Sequence, residues 1–192
     1  MLINYLSDLF IAAIVLVPFY IIFRVIFIKY RKVGVHLTRE LVLAFFIVFL
    51  GALIFLATRS TDLYASSDMI QTAQQRISNG HGIKLKPFGT ILVYLKKFPS
   101  QTFVANIIGN IILFIPIGFF LPLLWQKWQA FWKIMIVAFL FPVMIETAQL
   151  FIPRRFVDID DVILNALGIM LGYGLYLLIK RAYPKVSFLS HP

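Results

Sequence analysis

FVANIIGNIILFIPIGFFLPLLW, residues 103–125, carries no charged side chain and is long enough to cross a bilayer. A spanning helix needs about 20 mainly apolar residues, because only internal hydrogen bonds can satisfy a backbone that has left water. Residues 6–28, 41–57, 131–152 and 162–179 are of the same kind. Pro18, Pro116, Pro122 and Pro142 lie inside these runs. Bilayer helices tolerate such prolines when neighbours satisfy the freed groups. The charges of the first run follow its apolar stretch instead of preceding it, so it reads as a first spanning helix and not a cleaved leader.

The composition agrees. Of 192 residues, 61% are hydrophobic and 14% charged, and the mean hydropathy is +0.91. A soluble domain has about 45–50% apolar and about 25% charged residues. The reading is an all-α polytopic membrane protein, one domain over 1–192, with about five transmembrane helices. Tyr and Trp near the helix ends read as interface belts.

The connection 58–102 is not featureless. Ser60-Thr61-Asp62 resembles a helix start, and the polar run to Ser78 has helical composition. Asn79-Gly80-His81-Gly82 signals a turn. Residues 90–98 put Ile91, Leu92, Tyr94, Leu95 and Phe98 near one face, with Lys96 and Lys97 opposite. That is the pattern of a short interfacial helix. Pro87-Phe88-Gly89 also suits a re-entrant segment.

Several function classes fall away. With no cysteine there is no disulfide, thiolate chemistry or thiolate-held metal. His36, His81 and His191 lack metal-ligand spacing, so no metal and no cofactor is expected. The net charge of +10 lies mostly between apolar runs, which points to topology and anionic headgroups and away from nucleic acid. The cluster Arg24, Lys29, Arg31, Lys32 and Arg39 follows the first helix. Under the positive-inside rule it places the N-terminus outside and the C-terminus inside.

The polar residues at membrane depth gather between Asn106 and Asn165. Glu146 and Gln149 share a face of the fourth helix. An intramembrane carboxylate is costly and a functional candidate by default. Arg154 and Arg155 follow, as partners for Glu146, as headgroup anchors or as ligand groups. Asp158, Asp161, Asn165, Gly168 and Gly172 are spaced 3, 4, 3 and 4, forming one stripe of the last helix. Its glycines permit close helix approach. Asp158 or Asp160 also suits the positive end of that helix as a cap. Asn106 and Asn110, four apart, face one way and serve either interhelical packing or a ligand.

These residues resemble the VanZ-like family. The likeness runs from Asn106 through Asn110, Phe114, Pro116 and Gly118. It continues at Glu146 and Gln149, Arg154 or Arg155, Asp158, Asp161, Asn165, Gly168 and Gly172. It covers about 85–179. Pro87-Phe88 resembles the family's Asn-Leu-x-Pro-Phe segment, with Lys84 where its Asn is expected. The resemblance implies a bacterial cytoplasmic-membrane protein tied to resistance to lipoglycopeptides such as teicoplanin.

Two readings of the cluster follow. In the first, Arg154 and Arg155 bind anionic groups of a membrane lipid, a lipid-linked cell-wall precursor or a lipoglycopeptide at the outer leaflet. Glu146, Gln149, Asp158, Asp161, Asn106, Asn110 and Asn165 then orient the arginines or bind ligand amides and hydroxyls. In the second, the protein is an enzyme on a lipid-linked or cell-wall substrate, with Glu146 as acid/base. Asp158 and Asp161 would then suit a hard divalent cation.

Overall fold

A computed structural model describes residues 17–27, 29–30, 36–58, 69–80, 82–152 and 155–183. The chain divides into two compact units after Ala57. In the first, helices α1 (Val17–Phe27) and α2 (Leu37–Thr58) are joined by a bidentate pair. Arg24 Nε and Nη2 donate to the Glu40 carboxylate at 2.6 and 2.7 Å. Arg39, buried, lies 3.6 Å from the same carboxylate. Two cations read as topology signals are therefore also structural partners of Glu40.

Among the described residues, the second unit holds these main elements. They are α3 (Met69–Asn79), β1 (Ile83–Lys84), α4 (Gly89–Leu95), α5 (Gln101–Leu124), α6 (Phe131–Leu150), β2 (Val157–Asp158) and α7 (Ile159–Ala182). Among the described residues, α2, α5, α6 and α7 are long and apolar enough to span a membrane. The fold is an all-α polytopic membrane protein. The first expected span, 6–28, lies partly outside the described residues, and so does the helix start at Ser60-Thr61-Asp62. The later half of that polar run is α3, and α4 covers most of the short helix expected over 90–98.

The α5–α7 contact is set by glycine. A Cβ on Gly118, Gly168 or Gly172 would overlap the carbonyl oxygen of Ile169, Ile111 or Ile115, with the carbonyl carbons only 2.8, 3.1 and 2.9 Å away. The two backbones touch. Without a hydrophobic force between helices in lipid, such close packing carries the association. A buried cluster of Phe103, Ile107 and Leu164, with Ile91 and Tyr94 packed on it, seats α4 against both helices.

One turn of α5, Val104–Ile108, is π-helical. Asn106 lies within this turn and Asn110 just beyond it. Asn106 donates to its own helix, at Thr102 O, 2.8 Å away. At the far end of the bundle, Tyr173 Oη donates to Gln129 O and Lys180 Nζ to Gln129 Oε1, both at 2.8 Å. That latch ties the α5–α6 connection to α7.

Candidate functional site

The polar residues meet where the start of α5, the end of α6 and the start of α7 come together. The sequence from Val157 to Asp161 is the hub. Val157 pairs with Ile83 and Asp158 with Lys84 in a short parallel ladder, and the Val157 N–H donates to Gly82 O at 2.9 Å. The all-α reading needs only this addition.

Each acid of the hub is engaged with a different partner. Asp158 caps α7, its Oδ1 accepting the Asp160 N–H at 3.0 Å. Its Oδ2 accepts from Thr90 Oγ1 at 2.6 Å and lies 3.6 Å from Lys84 Nζ. The Asp158 N–H in turn donates to Glu146 Oε2 at 2.9 Å. Asp161 Oδ1 accepts from Asn110 Nδ2 at 2.8 Å, linking α7 to α5.

Asp160 was read only as a possible cap of its own helix. It is fully buried and caps another one. Its Oδ1 accepts the Phe88 N–H at 2.6 Å, and its Oδ2 accepts those of Thr90 and Ile91 at 2.7 and 2.9 Å. Helix α4 has no side-chain cap of its own, and Phe88 before it has φ of 62°. A left-handed non-glycine residue costs on the order of 1–2 kcal/mol. The three charge-assisted bonds to Asp160 offset that cost. A helix start without a capping side chain was the available signal for a distant acid.

Arg76 was also missed. Its Nη1 donates to the carbonyls of Gln149, Leu150 and Ile152 at 3.0, 3.0 and 3.2 Å. Its Nη2 donates to Gly82 O at 3.1 Å and to Arg155 O. The last turn of α6 holds no basic residue, so its orphan carbonyls take a guanidinium from α3. Burial lowers the Arg76 pKa from the usual arginine value. Gly82, at φ 76°, leaves room for it: a Cβ there would lie 3.0 Å from Nη2.

Of the remaining candidates, Gln149 contributes its carbonyl to this cap. Arg155 contributes its carbonyl too, and Arg154 lies outside the described residues. Glu146 accepts the backbone N–H of Asp158, and its expected pairing with Arg154 lies outside the described residues. Asn165 is buried, and its Oδ1 has no hydrogen-bond partner among the described residues. Among the described residues no group of three or more acids and histidines is arranged around a metal position.

Two clefts flank β1, and Ile83 and Leu85 line both. One, about 460 Å³, is bordered by Lys84, Lys86, Thr90 and Tyr94. The other, about 280 Å³, is apolar, with Val143, Leu150 and Val162 around Glu146 and Asp158.

A helical membrane protein whose buried acids tie a short helix to the ends of two spanning helices is the class that fold and site define. The VanZ/LLP1 family model matches residues 43–180, and the chain belongs to that family. No curated protein and no solved structure matches it.

Proposed function

We propose that this VanZ-like protein sits in the bacterial cytoplasmic membrane with its N-terminus outside and its C-terminus inside. There it lowers susceptibility to lipoglycopeptides such as teicoplanin by holding an anionic amphiphile at the outer face. The ligand is a membrane lipid, a lipid-linked cell-wall precursor or the drug itself. Family membership supports the phenotype. The observation that supports the site is the pair of clefts sharing β1, one bordered by Lys84 and Lys86, the other apolar. An amphiphile presents that same pair of surfaces. Arg154 and Arg155, on the connection after α6, add guanidinium forks suited to phosphate or carboxylate.

The test is survival in a lipoglycopeptide at equal protein level in the membrane. The wild type should protect. Lys84→Ala/Lys86→Ala, combined with Arg154→Ala/Arg155→Ala, should not. Full protection by that variant overturns the reading.

The second reading, an enzyme on a lipid-linked or cell-wall substrate, draws on the position of Glu146 in the apolar cleft. It requires a changed mass of some lipid-linked species in cells making the wild type, absent with Glu146→Gln. Unchanged lipid and precursor spectra would leave binding alone.

A further inference from the structure

The apolar cleft contains one group that its walls do not explain. Glu146 is 4% exposed. Its Oε2 is committed to the Asp158 N–H, while Oε1 makes no hydrogen bond among the described residues. Thr147, next along the lining, turns its hydroxyl onto Val143 O at 2.7 Å. Asp158 has both oxygens engaged, by Asp160 N–H and Thr90 Oγ1. The cleft therefore offers aliphatic walls and one unused carboxylate oxygen. An acceptor cut off from water without gaining a donor costs about 1–3 kcal/mol. A purely aliphatic occupant would strip water from it and leave that cost in place.

We infer that this cleft takes a single aliphatic chain whose polar end carries a hydroxyl or amide N–H, donated to Glu146 Oε1, with the anionic group beyond it at Lys84. This rests on reading the site as the holder of an anionic amphiphile and adds which amphiphiles it selects. The order follows from the lining. Val143 and Val162 meet the chain, Glu146 and Asp158 meet its first polar atoms, and Lys84 stands across β1. Glu146 is then a specificity-determining residue. Esters and ethers lacking a donor bind less well, though their charge and chain are the same.

The probes are tritiated 1-oleoyl-glycerol 3-phosphate and its 2-deoxy analogue. They share chain and phosphate and differ by one hydroxyl. Binding is measured to the full chain in phosphatidylcholine nanodiscs. The wild type should favour the hydroxyl probe by up to about tenfold, the scale of one net hydrogen bond. Glu146→Met keeps nearly the same volume and offers the probe's hydroxyl neither a donor nor a strong acceptor. That variant should bind both probes equally. Lys84→Ala should weaken both probes by the same factor.

Equal, measurable binding of both probes to the wild type overturns the inference and leaves the amphiphile site standing. So does a preference that survives in Glu146→Met. Binding of neither probe overturns the site itself. The wild-type comparison needs no variant to fold.

Discussion

Asp160 Oδ2 accepts the backbone N–H of Thr90 at 2.7 Å. An acid at the start of α7 therefore caps the short helix α4, encoded far earlier in the chain. Asp160→Ala would orphan the N–H groups of Phe88, Thr90 and Ile91 together. The expected loss is roughly 2–5 kcal/mol, on the scale of breaking a buried network with a charged member. Hydrogen exchange in detergent micelles should show residues 88–95 losing protection first. A variant with unchanged protection there would mean that α4 holds itself.

Arg76 is expected to behave as part of α6 although it belongs to α3. Arg76→Lys keeps the charge but replaces a rigid fork with three rotatable donors. It should lower the melting temperature and expose the amides around 149–155, and Arg76→Met should do so more. Equal melting of Arg76→Lys and wild type would show that charge alone matters at that helix end.

The three contact glycines should separate sharply from a fourth. Gly118→Ala, Gly168→Ala and Gly172→Ala each drive a methyl group into the facing backbone. Each should cost at least the roughly 1–3 kcal/mol typical of overpacking. Gly174 has nothing within 4 Å of a Cβ, so Gly174→Ala should be neutral or stabilising by about 1 kcal/mol. Unfolding in mixed micelles measures the difference.

Asn165 separates packing from function. Its buried Oδ1 has no partner among the described residues, so Asn165→Val should raise stability if the residue serves structure alone. Loss of drug protection in a stabilised Asn165→Val protein would assign the amide a part in the ligand site.

Much of this was legible in sequence because lipid forces simple patterns. Apolar length gave α2, α5, α6 and α7, and small-residue spacing gave the contacts of Gly168 and Gly172. The acids between Glu146 and Asp161 were legible as a cluster for the same reason, since carboxylates are rare at that depth. Their wiring was not. Asp160 falls off the 3-4-3-4 stripe of α7, and its bonds run to backbone N–H groups that carry no residue signature. Arg76 sits in an ordinary polar run, and only the missing cap of α6 pointed to it.

The amphiphile site itself is tested most directly by photo-crosslinking in bilayers. The probe is a single-chain acylglycerol phosphate with a diazirine on its chain, followed by peptide mapping. Labels should concentrate on 143–150 and 157–162, and Lys84→Ala/Lys86→Ala should abolish them. Labelling spread evenly over the exposed α7 side chains Leu167, Leu171 and Leu175, unaffected by the lysine changes, would contradict the site.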